Sequence, residues 1–173
     1  MSKVCMMRIF TQSLNTFGLW SHTMSEAPVD WDTLTFSMTE TDFMYITKTK
    51  IDEPWTPGEM RPYGNISISP AAGVMNYGQG LFEGMKAYRT SAGRVVLFRP
   101  EENARRMKRG ADRLKMPPVP ESIFIDAVEQ CVQQNERWIP PMGKGALYVR
   151  PLLNGSGPVL SLIHISEPTR RIE

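Results

Sequence analysis

The sequence predicts an α+β fold of two layers, a small, mostly antiparallel sheet with two helices packed on one side. Three observations carry this prediction. Short segments alternate apolar and polar residues, two later segments repeat apolar residues every three or four positions, and Pro/Gly clusters separate them.

The first strand is expected between Thr41 and Lys50, where Phe43, Tyr45 and Thr47 face one way and Met44, Ile46 and Lys48 the other. Asp52 to Gly64 holds Pro54, Pro57, Gly58, Pro62 and Gly64 and reads as a loop. Further strands are expected at Asn65 to Ser69, around Ile66 and Ile68, at Lys86 to Tyr88 after Gly84, and at the β-branched and aromatic run Arg94 to Phe98. Pro100, Glu101 and Glu102 open a helix, because proline is tolerated in the first turn and acids suit the positive end of the helix dipole. Ala104, Met107, Ala111 and Leu114 then repeat at helical spacing until Pro117 and Pro118. A second helix from Glu121 to Glu136 carries a wide apolar stripe of Ile123, Phe124, Ala127, Val128, Cys131 and Val132, on which Cys131 is a small buried hydrophobe. Gly145 to Leu153 reads as one strand, with Leu147, Val149 and Leu153 on one face and Tyr148 and Arg150 on the other.

Composition narrows the function. With 173 residues, 41% hydrophobic and 22% charged, the chain is in the range of one globular domain, and a net charge of +2 does not by itself point to a polyanion. Cys5 and Cys131 are the only thiols, so no disulfide framework is expected and a reducing compartment fits. His22 and His164 have no partners at zinc-ligand spacing, so no metal site is expected. No apolar run approaches the roughly 18 residues of a membrane-spanning helix. Residues 1–24 contain Lys3 and Arg8, several serines and no acid. They read either as an organellar presequence, with Met6, Ile9, Phe10, Leu14 and Phe17 near one helical face, or as a disordered extension. A mitochondrial or chloroplast location follows from the first reading and a cytoplasmic one from the second.

The chemistry concentrates in three strings: NYGQGLFEGMKAY (Asn76 to Tyr88), LFRPEENARRM (Leu97 to Met107) and LYVRPLL (Leu147 to Leu153). Tyr148 and Arg150, two apart on a strand, project to one side as an aromatic wall beside a guanidinium that can fork onto a carboxylate. The pair also fits an ordinary exposed strand face. Tyr77 and Phe82 lie among glycines, where they read as the rim of a cavity or as core packing. A dinucleotide loop built on Gly78, Gly80 and Gly84 fails because Glu83 stands where the third glycine belongs. The first helix carries Arg105, Arg106, Lys108, Arg109, Arg113 and Lys115, mostly a solvated face. Arg106 lies on the flank shared with Asn103 and Gly110, within reach of a phosphate. Nucleic-acid binding ranks below a small anionic ligand, since Glu101, Glu102 and Asp112 interrupt the cluster and no aromatic series accompanies it.

Together with NGSGPVL (Asn154 to Leu160), these strings closely resemble the N-terminal domain of branched-chain amino acid aminotransferases, most of all plant members. The resemblance covers Trp31 to Leu160. It implies the two-domain fold-type-IV architecture of class-IV aminotransferases, pyridoxal 5'-phosphate, and a homodimer. It also implies amino-group transfer between leucine, isoleucine or valine and 2-oxoglutarate, with the matching 2-oxo acids and glutamate as partners. By position, Arg106 matches the phosphate ligand, and Phe36, Tyr77 and Phe82 match aromatics of the substrate pocket. Tyr148 and Arg150 match the family pair whose arginine meets the side-chain carboxylate of glutamate or 2-oxoglutarate. The expected organisation is an extension at 1–24, the small aminotransferase domain at 25–160 and a non-family tail at 161–173, read as a truncated or mis-assembled end. The Schiff-base lysine lies in the family's second domain, and Lys86, Lys108, Lys115 and Lys144 match no such segment. No catalytic residue is therefore assigned here, and this stretch alone is expected to be inactive. A non-catalytic module that pairs with intact subunits is the alternative.

Overall fold

The computed structural model describes the backbone of residues 4–9 and, with side chains, residues 27, 29–32 and 39–158. The expected two-layer α+β architecture is present, with its strands in two antiparallel sheets rather than one. The larger sheet has the order β3-β2-β1-β8-β4, built from β1 (Val4–Ile9), β2 (Phe43–Lys50), β3 (Glu59–Pro62), β4 (Gly80–Phe82) and β8 (Leu152–Gly155). The smaller has the order β6-β5-β7, from β5 (Met85–Arg89), β6 (Val95–Leu97) and β7 (Leu147–Val149). A short helix α1 (Gly73–Tyr77) precedes β4, and the longer helices are α2 (Pro100–Arg113) and α3 (Glu121–Gln134).

Several boundaries differ from expectation, each for a local reason. The strand expected through Leu153 breaks at Arg150 and Pro151, and its halves join different sheets. Proline has no N–H for a ladder, and the Pro151 carbonyl instead accepts the Glu83 amide at 2.9 Å. Met85 to Ala87 pairs with β7, while Gly80 to Phe82 pairs with β8, so the Glu83–Gly84 turn crosses between sheets at the same point. Asn65 to Ser69 forms no strand; Ile66 instead packs against Met44 and Ile46 on the far face of β2. Part of the expected loop forms β3, an edge strand ending in Pro62. Met6 and Ile9, read at helical spacing, lie in β1 between β2 and β8, because a period read over a short apolar run does not separate helix from strand. Phe10, Leu14 and Phe17, His22 and His164, and the 161–173 tail lie outside the described residues.

The main core forms where the two long helices meet the sheets. From α3 come Phe124, Ala127, Val128, Cys131 and Val132, all fully buried, and from α2 come Ala104, Met107 and Ala111. Tyr45, Met85, Ala87, Val95, Leu147, Val149 and Leu153 complete the cluster from the strands. Cys131 is buried, as its place on the stripe predicts.

Polar staples tie β2 to the end of α3. The fully buried Asn135 accepts the Phe43 amide at 2.9 Å and donates to the Phe43 and Cys131 carbonyls at 3.1 and 2.6 Å. One step before the strand, Asp42 accepts two bonds of 2.6 Å from Arg137 and one of 2.8 Å from the Trp138 indole. The Arg137 hydrogen bonds hold the Asp42 carboxyl below its usual 3.8, against an opposing effect of burial. Because the folded-state value is depressed, this contribution to stability is complete above 3.8 and disappears as pH falls through the lower folded value. Urea unfolding should therefore show Asp42→Asn less stable than the parent near pH 7, with the gap closing as the medium is acidified below the ordinary aspartate range. A gap that stays constant down to about pH 2 would show that the carboxylate charge is not what the clamp uses.

Candidate functional site

The site forms where α2 passes the turn between β4 and β5. An open cleft of about 600 Å³ is lined by Tyr88, Phe98, Arg99, Asn103, Arg106 and Tyr148, among others. That volume lies within the roughly 300–1,000 Å³ typical of small-molecule sites.

Arg106 stands on the exposed flank of α2, held at one edge by Glu83. Its Nε donates to Glu83 Oε1 at 3.0 Å and its Nη2 to Glu83 Oε2 at 2.7 Å. Those hydrogen bonds raise the guanidinium's pKa further above its already high usual value, against a weaker effect of burial, so the group stays cationic. The buried Asn103, one turn earlier on the helix, donates to Glu83 Oε2 at 2.8 Å and to the Gly84 carbonyl at 3.1 Å.

Phe82, Tyr148 and Arg150 form a second group. The Arg150 guanidinium lies 4.4 Å from the Phe82 ring centroid and 4.9 Å from that of Tyr148, and it donates to the Tyr148 hydroxyl at 2.9 Å. Among the described residues its partners are two rings and a phenol rather than a carboxylate, an arrangement suited to a planar anion approaching the fork. Both aromatics are exposed, Phe82 at 61% and Tyr148 at 48%, which decides against the core-packing reading for Phe82. The close approach of strand and turn depends on Gly84, where a Cβ would collide with the Tyr148 hydroxyl.

The structure thus brings Arg106 and Tyr148 to one cleft and places Arg150 against both Tyr148 and Phe82. Tyr77 is exposed at the last position of α1, before Gly78 turns the chain with φ 61°, and is not part of the cleft wall. Phe36 lies outside the described residues. Sequence reasoning missed Glu83 and Arg99 as participants. In the sequence Glu83 only breaks a glycine pattern, and its partner is 23 positions away. Arg99 precedes α2 in a left-handed conformation, φ 47°, rare for a residue with a side chain, and also lines the cleft.

Part of the basic cluster is paired: Arg105 with Glu102 and Glu121, Arg106 with Glu83, and Arg99, just before the helix, with Glu101 and Glu102. Among the described residues there is no cluster of three or more metal-ligating side chains, and no helix is long and apolar enough to cross a membrane.

No protein-family model matches the chain. It is 54% identical over 150 residues to a chloroplastic branched-chain amino acid aminotransferase of Humulus lupulus, covering 87% of this chain and 37% of that protein. A mitochondrial branched-chain aminotransferase of Arabidopsis thaliana is 56% identical over 143 residues, or 83% of this chain and 37% of the relative. Among solved structures, a branched-chain aminotransferase of the archaeon Thermoproteus uzoniensis, crystallised with norvaline, matches with a TM-score of 0.50 at 27% identity, covering 60% of this chain and 33% of that one. The chain spans a little over a third of the length of these plant relatives. Over most of its own length the chain is similar to branched-chain aminotransferases, and it shares part of their fold.

Proposed function

We propose that these residues form the aromatic and cationic half of the active-site cleft of an organellar, homodimeric branched-chain aminotransferase. Such an enzyme moves an amino group between leucine, isoleucine or valine and 2-oxoglutarate. The observation that carries the proposal is the convergence of Arg106, Tyr148, Phe82 and Arg150 on one corner of a chain 54% identical to a plant enzyme of that name.

Pyridoxal phosphate fits the cleft. Arg106 offers a guanidinium to the phosphate, and Tyr148, Tyr88 and Phe98 line a space large enough for a substituted ring. When bound, the group supplies the electron sink for chemistry at the amino acid's α-carbon. The chain's own residues hold and sort the reactants. Phe82 and Tyr148 wall the aliphatic side chain and exclude water from it. Arg150 receives the side-chain carboxylate of glutamate or 2-oxoglutarate, so one pocket accepts both an apolar and an anionic substrate. In the family that the chain resembles, the amine that joins the cofactor lies in the second domain, and none of Lys86, Lys108, Lys115 and Lys144 is assigned that role.

The test is leucine and 2-oxoglutarate transamination by a polypeptide carrying these residues together with the remaining length of the relatives. Arg150→Ala should lower kcat/KM for 2-oxoglutarate about 10- to 100-fold more than for leucine, since one lost charge-assisted bond is worth about 1.5–3 kcal/mol. Equal losses for the two substrates would remove Arg150 from this role.

A further inference from the structure

We propose that Glu83 is a positioning residue that holds Arg106 from behind, so that the outer edge of its guanidinium meets the ligand's phosphate. This rests on the reading of the cleft as an anionic-cofactor site. The geometry separates the partners. Arg106 lines the cleft and its side chain is 49% exposed, whereas Glu83 is 11% exposed and is not part of the wall. The carboxylate takes the Nε and Nη2 side of the fork, which leaves the end formed by the two Nη groups for a second anion. The carboxylate in the wall, Glu102, is paired with Arg99 and Arg105, whereas Glu83 sits behind Arg106 and fixes that flexible side chain before the ligand arrives.

Glu83 is itself firmly placed. Its amide donates to the Pro151 carbonyl at 2.9 Å, and Asn103 donates to its Oε2 at 2.8 Å. Phe82, the residue before it, stacks on Arg150, and Pro151 directly follows that arginine. One turn thus sets both cations, Arg106 through a side chain and Arg150 through a ring.

The experiment takes a polypeptide carrying these residues together with the remaining length of the relatives and compares its affinity for pyridoxal phosphate and for pyridoxal, which lacks the phosphate, by fluorescence titration. Glu83→Gln should weaken pyridoxal phosphate about 10-fold, leave pyridoxal unchanged, and have no further effect once Arg106→Ala is present. A loss confined to the phosphate-bearing ligand is not expected from general loosening of the fold. If Glu83→Gln leaves the ratio unchanged or tightens pyridoxal phosphate, Glu83 is not a support for Arg106 and the proposal fails while the cofactor reading stands. If the unmutated protein binds both ligands equally, the cofactor reading fails and takes this proposal with it. Should the glutamine variant not fold, Glu83→Asp supplies the same comparison, keeping the charge but one methylene too short to make both bonds.

Discussion

Replacing Phe124 with alanine is expected to cost about 3–5 kcal/mol of folding free energy, which for a domain of ordinary marginal stability leaves little folded protein. Phe124 is fully buried near the start of α3, in the cluster that α3 shares with α2 and both sheets. Removing the ring takes away its transfer free energy and leaves a cavity that the helix and sheet backbones cannot close. Urea unfolding should show a lower midpoint with little change in slope. A loss below about 1 kcal/mol would mean that the site collapses around the smaller side chain and that the core is looser than its packing implies. The effect bears on function, because α2 rests on this core and carries Arg106 and Asn103 on its flank.

The second large effect is expected from Arg106→Ala. A charge-assisted bond to a phosphate is worth about 1.5–3 kcal/mol, so affinity for pyridoxal phosphate should fall about 10- to 100-fold relative to pyridoxal. The substitution also leaves the nearly buried Glu83 carboxylate with Asn103 but without its cation, so the variant should lose some stability as well. The comparison with pyridoxal separates the two consequences, since destabilisation affects both ligands and loss of the phosphate contact only one. Arg106→Lys should recover only part of the affinity, because an ammonium keeps the charge but cannot present two parallel donors to Glu83 and an edge to the ligand together. Equal weakening of both ligands by Arg106→Ala would remove Arg106 as the phosphate contact.

Much of the architecture is legible in local pattern. The α3 stripe and the apolar repeat of α2 each express a period within one element, and burial follows that period. The strand pair Tyr148 and Arg150 is legible for the same reason, since residues two apart share a face in any strand. What the local pattern does not contain is the destination of each piece. Leu147 to Leu153 looks like one strand, yet Pro151 divides it between two sheets, and only pairing with Gly80 to Phe82 on one side and Met85 to Ala87 on the other shows where each half goes. The site resists reading for a related reason. Tyr77 and Phe82 are five residues apart in one glycine-rich string, but the turn at Gly78 separates them, and only Phe82 reaches Arg150.

By itself, then, the sequence determined the types of β2, β5, β6, α2 and α3, the apolar faces of the two helices and, through the strings around Phe82, Arg106 and Tyr148, the resemblance that the plant relatives bear out. Those properties are set within a few residues of chain, where backbone period and side-chain chemistry act directly. The tertiary structure alone decided that Glu83 reaches across 23 residues to Arg106 and that Arg150 lies between two rings instead of against an acid. Contacts of that kind are made when sheets and helices dock, and the partner of a charged side chain is then whichever group the packing of distant elements brings within about 3 Å.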